Sequence, residues 1–214
     1  MVLTQKLKAH WLQVLAHLAA LGPLAVLAWD YAHNRLTANP IREVTLRTGR
    51  AALVLLALSL ASTPIYVMSG FRPVLRLRRP LGLYAFLYAA LHGLTFVGLD
   101  YGFNLALIGE EIRQRRFIQV GFLAFLVLLP LAITSTRGWM ARLGKNWKRL
   151  HRLVYLAALA AVAHYVWAVK ADRRVPLLSA AIVAVLLTFR IPAVQNAVRT
   201  FRARIGRGEL PPRA

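Results

Sequence analysis

Six continuous apolar runs, separated by short polar and mostly basic segments, organise this chain: Trp11–Trp29, Ala51–Ser69, Leu81–Leu99, Phe117–Thr136, Leu150–Val169 and Val175–Ile191. At ~1.5 Å per helical residue, runs of about 17 to 20 residues are long enough to cross ~30 Å of hydrocarbon. The pattern predicts an all-α fold, a six-helix integral membrane bundle over residues 1–191, followed by a basic tail over 192–214. Pro23, Pro64 and Pro130 fall inside runs and should each disturb the helical ladder locally. Gly82, Ala85, Ala89, Ala90, Ala157, Ala158, Ala160 and Ala161 mark expected close contacts between helices. Only Asp30–Arg50 and Asp100–Arg116 are long connections. Neither is large enough for a soluble domain.

Composition agrees: 58% of the 214 residues are hydrophobic and 16% charged, an apolar excess that an ordinary soluble domain does not carry. The net charge of +21 does not indicate nucleic acid, because the basic residues stand in short blocks between the apolar runs. Topology accounts for them. With a cytoplasmic N-terminus, the inner segments hold Lys6, Lys8, the four arginines from Arg72 to Arg79, six basic residues from Arg137 to Arg152 and six from Arg190 to Arg213, 18 of the 28. The outer segments hold six of the seven acids. This bias places both termini in the cytoplasm and suits contact with anionic membrane lipid. The first run ends in Trp29-Asp30 without a small-residue cleavage site, so it reads as a retained span. The tail reads as an interfacial helix passing into disorder near Pro211-Pro212, too short for a nucleotide-binding βαβ unit.

The chain has no cysteine. Disulfides, thiolate-held iron–sulfur or zinc sites and thioether haem attachment are therefore excluded, and any redox group must be held non-covalently by nitrogen or oxygen. Six histidines remain as candidates. His10, near a span boundary, and His33, in a connection, read as solvated; His17 reads as a polar contact between helices. The informative set is His92, His151 and His164. Counted from the inner ends of their spans, His92 lies ~16 Å and His164 ~21 Å deep, close enough to meet across one flat cofactor. Neutral imidazoles on two facing helices are good axial ligands for haem iron, and an apolar bundle buries a porphyrin. An iron with both axial positions filled relays electrons and has no open position for a substrate. The alternative is that these histidines only join helices by hydrogen bonds.

His151 stands ~20 Å from His164 along its helix and ~140° away around an ideal one, so it belongs to a different level. That separation suits a second haem, or an inner flavin or quinone site. Arg78 and Arg79 occupy the same level on the third span, where they could bind haem propionates, a flavin phosphate or lipid phosphates. Trp147, with Lys145, Lys148 and Arg149, forms an aromatic and basic rim that either anchors the helix or joins a docking or flavin/quinone site.

The third span LGLYAFLYAALHGLTF with its preceding RLRRP, and the segment ITSTRGWMARLGKNWKRLHRLVYLAALAAVAHY, resemble the ferric-reductase-like transmembrane domain. They resemble more closely the family of haem-binding membrane subunits of the bacterial periplasmic protein-methionine-sulfoxide reductase system (MsrQ/YedZ), over nearly the whole chain. The resemblance implies one or two b-type haems on His92, His151 and His164, and flavin mononucleotide (FMN) as a further cofactor. It implies a bacterial inner-membrane electron-transfer subunit, fed by the quinone pool or a cytoplasmic flavin reductase. Its partner would be a periplasmic molybdopterin-containing subunit that repairs oxidised methionine. Two other readings stay open on residues alone: a self-contained metal reductase, and a cofactor-free transporter or assembly factor. Against the latter, no acidic residue lies in the middle of a span, as a proton-coupled transporter would require.

Overall fold

The computed structural model describes residues 2–206. The side chains of the first ten residues, including Lys6, Lys8 and His10, and the chain end with Pro211-Pro212 lie outside the described residues. Ten α-helices follow in order: α1 Val2–Ala32, α2 Pro40–Ser69, α3 Arg78–Leu94, α4 Leu105–Gln114, α5 Arg116–Ile133, α6 Arg137–Leu143, α7 Lys145–His151, α8 Val154–Ala168, α9 Arg174–Thr188 and α10 Pro192–Gly206. No strand occurs among the described residues. Five stretches are long and apolar enough to cross a membrane: Trp11–Ala32, Pro40–Ser69, Arg72–Asp100, Arg116–Ile133 and Lys145–Ala168. Helices α9 and α10 pass the same test of length and apolarity only as a pair, bent by 78° to one another, so the chain has five such stretches, or six if the pair is one span. Large apolar side chains such as Leu18, Val54, Leu126, Leu159 and Val185 are exposed around the bundle, the surface a multi-pass protein turns to lipid.

All six acids of the described residues stand at or near the connections α1–α2, α3–α5 and α8–α9, here termed the acidic end; the basic end carries α6, α7 and α10. One boundary differs from the sequence expectation. Helix α2 begins at Pro40, eleven positions before its apolar run. Asn39 caps it through Oδ1, accepting from the Arg42 amide, and Pro40 stands at the first turn. Arg47 then bridges Asp30 at the end of α1 and Glu43 one turn back, both at 2.5 Å, which ties the extension to α1.

The core is made by small residues: Ala85, Ala157 and Ala158 are completely buried and Ala160 nearly so. They let α2 pack on α3 and α8 on α5. Gly82 is not needed for this, since a Cβ there would make only an ordinary 3.5 Å contact with Ser59 Oγ. Side chains enter the helical ladder beside two of the three prolines. Near Pro23, the buried Tyr88 hydroxyl enters the ladder of α1, donating to the Ala20 carbonyl at 2.8 Å and accepting from the Leu24 amide at 3.0 Å. Pro64 cannot bond the Leu60 carbonyl, and Arg190 Nη2 takes that carbonyl at 2.6 Å. At the other end of α2, Gly70 closes the helix at φ +74°, and Arg202 of α10 donates to the Tyr66 and Val67 carbonyls. Tyr88→Phe leaves two main-chain groups of α1 without their bridge, so it should lower stability in detergent by about 1 to 3 kcal/mol, read as a shift in thermal unfolding.

Candidate functional site

His92, in the last turn of α3, and His164, near the end of α8, come face to face at the acidic end. Their ring centroids are 6.0 Å apart and their planes 79° from parallel. The two residues are distant in sequence and meet because α3 and α8 are held together through α2 and α5. Each ring is fixed from behind by the main chain of a third helix. His92 Nδ1 donates to the Thr45 carbonyl of α2 at 2.9 Å, and His164 Nδ1 donates to the Phe117 carbonyl of α5 at 2.7 Å. A carbonyl only accepts, so Nδ1 carries the proton in both rings. In the neutral imidazole the lone pair is then on Nε2.

The surroundings are apolar and helical. The Phe117 ring lies 6.0 Å from His164, and Phe86 of α3 stacks on Phe125 of α5 at 5.6 Å. Beyond His92 the helix loosens into a π-helical segment, Thr95–Asp100, a departure common near functional positions. Arg50, next to Gly49 on α2, donates through Nε to the Tyr165 hydroxyl beside His164 at 3.1 Å and makes no salt bridge among the described residues.

The residues expected at the other level stand at the basic end in two groups, His151 with Trp147 and Arg78 with Arg190. The helix carrying His151 and His164 is broken between them, at Arg152-Leu153, so the ideal-helix angle between the two does not apply. His151 stacks on Trp147 at 3.9 Å, with Nδ1 3.1 Å from the Trp147 carbonyl and Nε2 3.4 Å from Ser135 Oγ. Trp147 Nε1 donates to the Thr134 carbonyl at 2.9 Å, which seats both rings on the end of α5. No second imidazole faces His151 among the described residues, and no group of three or more potential metal-binding side chains occurs among them. Arg78 and Arg190 both donate to Thr63 Oγ1, and Arg190 also covers the Tyr155 ring at 5.4 Å. Arg79 follows Arg78 in the first turn of α3. His17 is a helix-to-helix contact, 3.0 Å from the Tyr84 hydroxyl, and His33 stacks on Trp29.

The sequence reading did not find Thr45, Gly49, Phe117 or Gly121, which sit behind the paired rings, or Arg50 and Arg190. The available signal was a glycine inside an apolar run, at Gly121, and one just before another, at Gly49.

A family model described as the ferric reductase like transmembrane component matches residues 48–162, a segment that contains His92 and stops two positions before His164. The chain is 46% identical over 198 residues to the protein-methionine-sulfoxide reductase heme-binding subunit MsrQ of Xanthomonas euvesicatoria pv. vesicatoria (strain 85-10), covering 90% of this chain and 91% of that one. The chain belongs to the MsrQ family. The MsrQ protein of Xanthomonas axonopodis pv. citri (strain 306) is 48% identical over 185 residues, 84% of this chain and 85% of its own. More distant in source, the MsrQ protein of Caulobacter vibrioides (strain ATCC 19089 / CIP 103742 / CB 15) is 44% identical over 178 residues, 83% and 85% of the two chains. MsrQ membership and the all-helical, multi-pass fold fit one another, since the matched family is itself a transmembrane one.

Proposed function

We propose that this chain is a membrane b-type cytochrome subunit of a bacterial protein-methionine-sulfoxide reductase system, with one haem held by His92 and His164. The observation that carries this is the ring pair: two imidazoles from different helices, 6.0 Å between centroids, each with Nδ1 committed to a carbonyl and Nε2 left as the donor. Imidazole–metal bonds are about 2 Å long, so one metal ion between two such Nε2 atoms requires centroids roughly 6 Å apart. The donor set therefore fits haem iron, and the relatives' names as heme-binding subunits support it. When bound, the haem would supply one-electron exchange, with His92 and His164 as the residues that hold it. The protein orients the two rings, surrounds them with apolar side chains and keeps water out. Arg50, a cation with no carboxylate partner among the described residues, would pair with a haem propionate.

The basic-end cluster is where electrons would enter. His151, Trp147, Arg78 and Arg79 would take a flavin such as FMN or a quinone headgroup, presented by the quinone pool or a cytoplasmic flavin reductase. Because His151 has hydrogen-bond partners at both nitrogens and no facing imidazole among the described residues, a flavin or quinone suits this level better than a second haem. The positive-inside bias favours both termini in the cytoplasm and the tail from residue 192 on that side, in the bacterial inner membrane. The paired histidines would then lie toward the periplasm, facing a molybdopterin-containing catalytic subunit that repairs oxidised methionine in proteins.

A pyridine haemochrome assay on the purified, haem-supplied protein tests this. One haem b per chain is expected. Two haems would return His151 to the ligand set, and none would remove the reading.

A further inference from the structure

We propose that Gly49 and Gly121 are positioning residues for the two imidazoles, each opening one helix so that a histidine can reach its main-chain carbonyl. The inference rests on the assignment of His92 and His164 as haem ligands, and it extends that assignment to two residues with no donor atom of their own. In an α-helix the carbonyl of one residue bonds the amide four positions on. Gly49 stands four after Thr45, and Gly121 four after Phe117. The two carbonyls that hold the rings are thus the helical partners of the two glycine amides. A carbonyl has a second lone pair, so it can also accept from imidazole. The ring must then lie against the α-carbon four residues on.

The structure places both rings there. A Cβ added at Gly121 would lie 2.6 Å from His164 Nδ1, 2.9 Å from Cε1 and 3.0 Å from Cγ. At Gly49 the same atom would lie 3.0 Å from His92 Nδ1 and 3.2 Å from Cε1. Neither glycine has positive φ, so the backbone does not demand it, and glycine within a helix is destabilising relative to alanine. By contrast, Gly22 and Gly93 have open space where a Cβ would go. The Nδ1–H to carbonyl bond fixes the tautomer and raises the basicity of Nε2, which strengthens binding and favours the ferric state. One device, used twice, accounts for glycine at both positions.

The test uses the full-length protein in detergent, haem-loaded, and compares Gly121→Ala, Gly49→Ala and Gly82→Ala by haem affinity and redox titration. Loss of such an outer-shell partner lowers metal-site affinity about 10- to 100-fold. Gly121→Ala is expected to fall in that range with a raised midpoint potential. Gly49→Ala should move the same way by less, and Gly82→Ala should match the wild type. Should Gly121→Ala fail to fold, as judged by helical circular dichroism, the milder Gly49→Ala decides. Affinity and potential equal to those of Gly82→Ala in both variants would overturn the inference while leaving the ligands in place. Separately, wild-type spectra in His92→Ala and His164→Ala would show that the ligand assignment itself fails, and the inference with it.

Discussion

His164→Ala is expected to abolish stable haem binding while leaving the helical fold intact, and His92→Ala to do the same. The loss should exceed the about 10- to 100-fold cost of removing an outer-shell partner, because the axial donor itself is gone. The fold should survive because the carbonyls behind the rings keep their helical partners four residues on; only the second bond of each, from imidazole Nδ1, is lost. His151→Ala provides the contrast. It stacks on Trp147 at the far level and is expected to keep the haem spectrum while changing reduction by a flavin or quinone donor. Helical circular dichroism, the Soret band and the rate of reduction by a soluble reduced flavin separate the three outcomes.

The second large effect is expected at Ala158, which is completely buried in the core cluster with Ala157, Leu128 and Val162. Ala158→Leu forces extra methylenes into a contact that depends on small side chains, at a typical cost of about 1 to 3 kcal/mol. His164 lies six residues further along the same helix, roughly 9 Å, so displacement of α8 also pulls its imidazole from its partner. Thermal unfolding should drop and haem affinity should fall with it. Leu159→Ala, one residue on and facing outward at 53% exposure, should change stability by no more than about 0.5 kcal/mol. Equal effects at the two positions would contradict the packing described for α8.

The spans were legible because hydrocarbon imposes one demand, a continuous apolar run, and the six runs correspond to five long crossings and one bent pair. The outward extension of α2 was not legible. Its first residues, Pro40 to Arg50, are interrupted by Arg42, Glu43, Arg47 and Arg50, and they are helical because of the Asn39 cap and the link from Arg47 to Asp30 and Glu43, partners that hydropathy does not register. The meeting of His92 and His164 was visible as matched depth, since rise per residue converts position into height whatever the neighbours do. What stands behind the rings was not, because a main-chain carbonyl has no residue type and a glycine in a helix has several ordinary explanations. The capture of the Leu60 carbonyl by Arg190 was hidden for a related reason. Pro64 announces that a carbonyl is freed, but the side chain that takes it comes from the α9–α10 turn, 126 positions later.

The paired rings also give the protein a division of labour along its axis. Six acids and the imidazole pair mark one end, while arginines, Trp147 and His151 mark the other. Charge at the basic end suits an anionic lipid surface.

The most direct measurement is the ferric absorption and electron paramagnetic resonance spectrum of the full-length protein loaded with haem b. The account predicts a single low-spin, six-coordinate species with two imidazole ligands, and its loss when either His92 or His164 becomes alanine. A high-spin, five-coordinate spectrum, or a low-spin one that survives both substitutions, would contradict it.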